Sequence, residues 1–291
     1  MDVPPIRDSR ELGLVLTQQL LAVDHLHYGL WPNHLPVTLG NLCHAQQAFN
    51  QLLLDTIADA PDSQRILDVG CGVGSLLVAL RQRGMQAEGL SPSVHLNAQT
   101  RHRLASAGFT CTPVHDLRFE DLDPAQAGRF DTVVFSESFQ YVSLPQALAL
   151  LPALVRPGGR VIVCDFFRTA ADGDGGPGDG AFGGGHRWHE FEPALAATPL
   201  RIESDRDLTP QIAPNLALLE EVLQQRIAPA LGTIDAYLAQ RRPLLRRLLR
   251  FALRRKIERV KFKYLSGHRS PESFSRYKTY RLVVLRHLPP P

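Results

Sequence analysis

The sequence predicts an α/β fold, a sheet layered with helices, and two observations carry that expectation. The run Arg65-Ile66-Leu67-Asp68-Val69-Gly70-Cys71-Gly72-Val73-Gly74 joins a short apolar strand to a turn with glycine at three alternate positions. A helical pattern follows at once in Ser75-Leu76-Leu77-Val78-Ala79-Leu80. Downstream, strand-like apolar runs alternate with helix-like periodicities as far as Phe166, which is how parallel sheets are assembled.

The elements follow in order. Leu12, Leu14, Leu16, Leu20 and Leu21, then Leu42, Phe49, Leu52, Leu53, Leu54 and Ile57, give helical spacing from Ser9 to Ala60, broken by Pro32 and Pro36. Between the breaks and the first helix lies an aromatic and histidine cluster, His25 to Trp31. Strands are expected at Arg65 to Val69, Gln86 to Leu90, Phe109 to Val114, Phe130 to Phe135, Arg160 to Phe166, Leu200 to Ser204 and Arg281 to Leu285. Helices are expected up to Gln82, over Val94 to Ala107, over Leu144 to Leu154, and over Asn215 to Ile227 and Ile234 to Phe262. Ala170 to Gly185 is rich in glycine and aspartate; it reads as a mobile loop with no core to bury, past the end of the fifth strand, where open α/β sheets bind ligands. A lid and a plain linker are both compatible with that position.

A glycine turn between strand and helix lets a ligand approach bare backbone. A dinucleotide fingerprint needs G-x-G-x-x-G followed by an acid about 20 residues on; here the third glycine, Gly74, comes one residue early and the acid, Asp68, precedes the first. A phosphate-binding loop needs a closing Gly-Lys-Ser/Thr, which is missing. The pattern Asp-Val-Gly-Cys-Gly-x-Gly instead resembles motif I of the class I S-adenosylmethionine (SAM) dependent methyltransferases. The resemblance is specific over residues 60 to 168. It implies a Rossmann-like, seven-stranded, mostly parallel sheet with an N-terminal helical cover and a helical insertion before the last strand. The corresponding division is 1–60 cover, 61–205 SAM-binding core, 206–270 insertion or lid, and 271–291 final strand.

The same resemblance assigns roles. Gly70, Cys71, Gly72 and Gly74 would face the methionine portion of SAM, with Asp68 on its ammonium. The family's ribose-binding acid at the end of strand two is replaced by Ser91, with Glu88 nearby but out of register. Asp116 would accept from the adenine amino group, with Leu117 beside the ring, and Ser136 would complete the cofactor contacts. Glu137 matches an acid found in small-molecule methyltransferases of the sterol, tocopherol and geranyl-diphosphate type. It reads equally as a catalytic base or as a helix-terminal structural acid. Tyr28 matches the aromatic cover of those enzymes, or anchors the N-terminal helices. His186 and His189 follow the flexible loop, and His186 would enter the site on closure. The products would be S-adenosyl-L-homocysteine (SAH) and a methylated small molecule, the acceptor being hydrophobic or lipid-like.

Composition narrows the alternatives. Four scattered cysteines without C-x-x-C pairing disfavour zinc and disulfide scaffolds, and no third ligand is spaced to make the two histidines a metal site. The N-terminus shows no basic-then-apolar leader and no apolar stretch reaches membrane-spanning length, so a cytoplasmic location is expected. The formal charge is only +3, but Arg241 to Lys263 is a basic block with leucine pairs between arginine pairs. It reads as an anionic membrane or lipid contact, or as a solvated helix face; nucleic acid is disfavoured by sparse aromatics, as is base methylation by the missing Asn/Asp-Pro-Pro-Tyr. A methyltransferase of a polar natural product or RNA, and a non-catalytic SAM-binding scaffold, are the rival readings.

Overall fold

The computed structural model describes residues 5–6, 9–59, 65–127, 130–262 and 267–289. Ala60, Lys263 to Ser266, Pro290 and Pro291, which figure in the expectations above, lie outside the described residues. Helices α1 (Ser9–Leu21) and α2 (Leu42–Ala58) precede β1 (Arg65–Val69). Next come α3 (Ser75–Gln82), β2 (Gln86–Leu90), α4 (Val94–Ser106), β3 (Val114–His115), α5 (Pro124–Ala127) and β4 (Phe130–Ser136). Then follow α6 (Leu144–Leu154), β5 (Val155–Arg168), α7 (Trp188–Ala196), β6 (Leu200–Asp207), α8 (Thr209–Ile212) and α9 (Pro214–Val222). A π-helical turn (Leu223–Ile227) leads to α10 (Ala228–Arg241), α11 (Pro243–Val260), α12 (Pro271–Tyr277) and β7 (Lys278–His287).

The seven strands form one sheet in the order β3-β2-β1-β4-β5-β7-β6. All pairs are parallel except those of β7 with β5 and β6. Alternation along each strand divides the core in two. Ile66, Val134, Leu282 and Val284 face α2, α3, α8 and α9, while Leu67, Val133, Val283 and Leu285 face α6 and α7. The sheet order reverses between β1 and β4, so the carboxyl ends of β1, β2 and β4 converge where such folds hold ligands.

Several bounds differ from the sequence expectation, each for a local reason. Strand β3 shrinks to two residues because Phe109–Thr112 spends its backbone on a turn, and Pro113, with no N–H, contributes only its carbonyl to Gly89 (2.9 Å). Strand β5 starts early, absorbing Arg156-Pro157-Gly158-Gly159 as an irregularity between Phe130↔Val155 and Thr132↔Arg160. On α1, Leu12, Leu16 and Leu20 lie outside while Glu11 and Val15 lie inside, and of the leucines expected inward Leu14 is partly buried and Leu21 packs on the small Val23–Trp31–Leu42 cluster.

The glycine-rich stretch is also corrected. Asp179 accepts from the Gly173 and Gly175 amides (3.1 and 3.0 Å), and Asp174 binds Arg276 (2.6 Å) and the Tyr277 hydroxyl (3.0 Å). Lys278, buried and pushed down to about 8 by that burial, donates to the Gly184 carbonyl (2.8 Å). Ala181 and Phe182 join the core. Long-range polar tethers therefore supply the order that composition alone could not promise.

Candidate active site

Every glycine of the β1–α3 turn adopts left-handed backbone, with φ of 77°, 56° and 80° at Gly70, Gly72 and Gly74. A Cβ on Gly74 would sit 2.6 Å from Thr100 Cγ2, and one on Gly70 would collide with Ser138. The turn is held from behind: Gly70 N donates to Leu90 O (2.7 Å), Thr100 Oγ1 to Gly72 O (3.0 Å), and Ser138 Oγ to Val69 O. Leu26 of the N-terminal segment approaches Gly72 from the other side. Beneath the turn, Asp68 is 2% exposed and its carboxylate accepts no hydrogen bond from the described residues. Burial pushes it up to about 7. An orphan carboxylate of this kind calls for a cationic or hydrogen-donating partner.

The end of β2 is a network of already paired groups. Ser91 is buried, and its Oγ accepts from Ser93 N (3.2 Å). Asn97, fully buried, donates to Ser91 O (2.8 Å) and Asp116 Oδ1 (2.7 Å). Partial burial opposes ionisation of Asp116, but the bonds from Arg101 and Asn97 outweigh it and hold the carboxyl below its ordinary value. Leu117 packs against the second core. Glu88 is spent on Arg65 (2.8 Å) and His115 (3.1 Å), so it is not re-aimed toward Ser91.

At the end of β4, next to Ser136, Glu137 adopts φ 53°. Its Oε1 accepts from the Tyr28 amide (3.0 Å) and the Tyr280 hydroxyl (2.8 Å). Burial first, and Asp165 on β5 second, push this carboxyl up to about 8. Asp165 is itself pushed up to about 7 by burial, against donation from the amides of Gln140 (2.9 Å) and Phe166 (2.8 Å). Burial also keeps the Tyr280 hydroxyl protonated, which fixes it as the donor to Glu137. The left-handed backbone and paired donors belong to a strand-end acid aimed into a protein interior, not to one capping a helix.

The His25–Trp31 cluster is locked over this acid. Gln46 donates to the carbonyls of His25 (3.2 Å) and His27 (2.8 Å), and His27 stacks on Phe49, where burial holds it at about 4 and so neutral. Asn215 of α9 grips Gly29 from both sides, accepting from its amide (2.9 Å) and donating to its carbonyl (2.7 Å). The Tyr28 ring meets Phe274 edge-on. His186 is the exception. Its Nε2 approaches Phe139 O (3.0 Å) and its ring packs on Phe139 within the second core, so it is not brought to Glu137. His189 is exposed, beside Glu190. Tyr280, Asp165, Asn215 and Glu11 escaped the sequence reading; only Tyr280 carried a signal, as part of the tyrosine and arginine run before the last strand. Among the described residues no group of three histidine, cysteine, aspartate or glutamate side chains is placed to hold a metal ion.

Residues 43–202 match the family model of the methyltransferase domain, more than half of the chain. The chain belongs to this methyltransferase family. It is similar to methyltransferase GfsG of Streptomyces halstedii, 29% identical over 54% of this chain and 58% of that protein. It also resembles the tuberculostearic acid methyltransferase UfaA1 of Mycobacterium tuberculosis, 34% identical over 42% of this chain and 28% of that one. The matches thus span little more than half of one curated relative and about a quarter of the other. In fold, this methyltransferase superposes on geranyl diphosphate C-methyltransferase from Streptomyces coelicolor, solved with Mg2+, a substrate thiolo-analogue and SAH. The TM-score is 0.64 at 17% identity, covering 94% of this chain and 92% of that one.

Proposed function

We propose that this methyltransferase binds SAM at the β1–α3 turn and methylates a small hydrophobic or lipid-like acceptor beside Glu137. The orphan Asp68 under three left-handed glycines carries the reading: it fits the ammonium of SAM, while the turn, packed closely at Gly70 and Gly74, stays open at Gly72, where the nearest side chain is Leu26. Bound SAM supplies a methyl on a sulfonium, which an acceptor displaces in line to leave SAH. Glu137, as the carboxylate, takes the proton that an oxygen, nitrogen or carbon acceptor sheds, and Tyr280 steadies it for that task. Tyr28, Leu26 and the clamp on Gly29 exclude water from above. The aromatic contacts of Phe274 with Tyr28 and Phe166, joined to Glu137 through the Tyr28 amide, support an apolar acceptor. Incubation with methyl-labelled SAM and fractionated lipid, metabolite and RNA extracts tests this. Label in the lipid or apolar metabolite fraction is expected; label in RNA alone sinks the acceptor assignment, and label nowhere despite SAH binding favours a scaffold.

We propose also that α10 and α11 dock on an anionic lipid surface. Among the described residues neither helix buries a side chain; Leu244 is 81% and Phe251 70% exposed, with Leu248 between them. Arg247, Arg250, Arg254 and Arg255 are exposed alongside, and the acid Asp235 is already paired with Arg246 (2.8 Å). An apolar and cationic helix pair of this kind suits a headgroup boundary. No helix among the described residues is long and apolar enough to cross a membrane. Flotation is expected with phosphatidylglycerol vesicles and not with phosphatidylcholine ones, and Leu248→Glu/Phe251→Glu is expected to abolish it. Equal behaviour on both vesicles overturns the assignment.

A further inference from the structure

Two cationic side chains converge on one backbone carbonyl at the carboxyl end of β5. Arg168, the last residue of that strand, donates from Nε to Gly184 O (3.1 Å). Lys278, opposite it at the start of β7, donates from Nζ to the same oxygen (2.8 Å). Lys278 is 0% exposed, and its ammonium also lies over the Phe166 ring, 5.5 Å from the centroid. Asp172 meets Arg168 at 3.4 Å and lends its field to Lys278, so one acid serves two cations. A buried ammonium is costly unless an anion or several acceptors meet it, and a charged donor gains most from a charged acceptor. One neutral carbonyl is a modest partner for both donors, and it engages one of the three N–H bonds of Lys278.

The place of this pair in the sheet ties it to the site. Residues opposite each other on antiparallel strands share a face. Arg168 and Lys278 therefore stand beside the Phe166–Tyr280 pair, on the side where the Tyr280 hydroxyl reaches Glu137. Lys278 and Tyr280 are two residues apart on β7, a spacing of about 7 Å. Phe166 meets Phe274 edge-on, and Phe274 meets Tyr28. The segment that supplies the carbonyl lies close on these groups. Gly184 and Gly185 have φ of 74° and 82°; a Cβ on Gly184 would stand 2.5 Å from Gln140 Oε1, and one on Gly185 3.0 Å from Phe166 O. Glycine at these positions lets the backbone itself present an oxygen to the cations.

We infer that Arg168 and Lys278 form an oxyanion subsite, which takes a carboxylate or phosphate group of the acceptor in place of the Gly184 carbonyl. The inference rests on the proposal that an apolar acceptor is methylated beside Glu137, and it narrows that acceptor to an amphiphile with an acidic group. The anion fixes one end of the molecule on Arg168 and Lys278, and the apolar body lies over Phe166 toward Glu137.

Transfer from methyl-labelled SAM to an apolar extract, separated beforehand by anion exchange into acidic and neutral pools, tests the subsite. Label in the acidic pool is expected. Lys278→Met is expected to raise the amount of that pool needed for half-maximal transfer at least about tenfold, with the maximal rate within about threefold and SAH affinity unchanged. Arg168→Met, the second variant, is expected to do the same. Label confined to the neutral pool overturns the subsite and leaves the apolar-acceptor proposal standing. Half-saturation unchanged in both variants overturns it as well, and a loss of maximal rate alone reduces Lys278 to a tether of the glycine segment. Label in neither pool defeats the acceptor proposal, and the subsite falls with it.

Discussion

Asp68→Asn is expected to stabilise the ligand-free protein at pH 8 and at the same time to weaken SAH binding about a hundredfold or more. The two effects share one cause. Burial raises the folded carboxyl from 3.8 to about 7, so between those values the folded state holds a proton that the unfolded chain has released. Stability from this group is therefore full below pH 4, falls as pH rises, and levels off above about 7, for a loss of at most about 4 kcal/mol. Asparagine carries no such liability but cannot meet an ammonium with charge, and truncating one side of a buried charged pair costs about 2–5 kcal/mol of binding. Urea unfolding at pH 4 and pH 8, with calorimetry at pH 8, measures both. A stability difference between variant and wild type that does not grow across that window contradicts the orphan-carboxylate account.

Glu137→Gln is expected to reduce methyl transfer to the identified acceptor by about 10²–10⁴-fold with SAH affinity nearly unchanged. In the wild type the rate should climb about tenfold per pH unit and level near pH 8, because only the ionised carboxyl takes a proton and its pKa lies at about 8. Two neighbours should move that limb in opposite directions. Tyr280→Phe removes a donor that favours the ionised form, shifting the limb upward; Asp165→Asn removes a like charge, shifting it downward. A flat profile, with Glu137→Gln within threefold of wild type, leaves Glu137 a structural residue.

What could be read from the chain was whatever its chemistry keeps local. Asp68 and the three glycines stand within seven consecutive residues, so strand, turn and helix announce themselves together. The missing acid at Ser91 was visible for the same reason; the contact of Glu11 with Ser93 was not, because the two stand 82 residues apart and α1 had to be folded back first. Glu137 could be singled out by position, but its hydroxyl donor, Tyr280, lies 143 residues on. Composition misled at Ala170 to Gly185, where Asp174 finds Arg276 across 102 residues and turns a polar stretch into an ordered one. On α1 only part of the leucine period faces inward: Leu21 packs on the small N-terminal core cluster, while Leu12, Leu16 and Leu20 lie outside.

The grip of Asn215 on Gly29 has a mechanical consequence. Asn215 stands in the first turn of α9, and helical backbone continues without interruption through the π-turn and α10 to Arg241. At its other end, Gly29 adjoins Tyr28, whose amide is one of the two donors to Glu137. The proposed docking helices and the proposed proton acceptor are thus joined by one continuous run of helical backbone, the Asn215–Gly29 bonds and the Tyr28 amide.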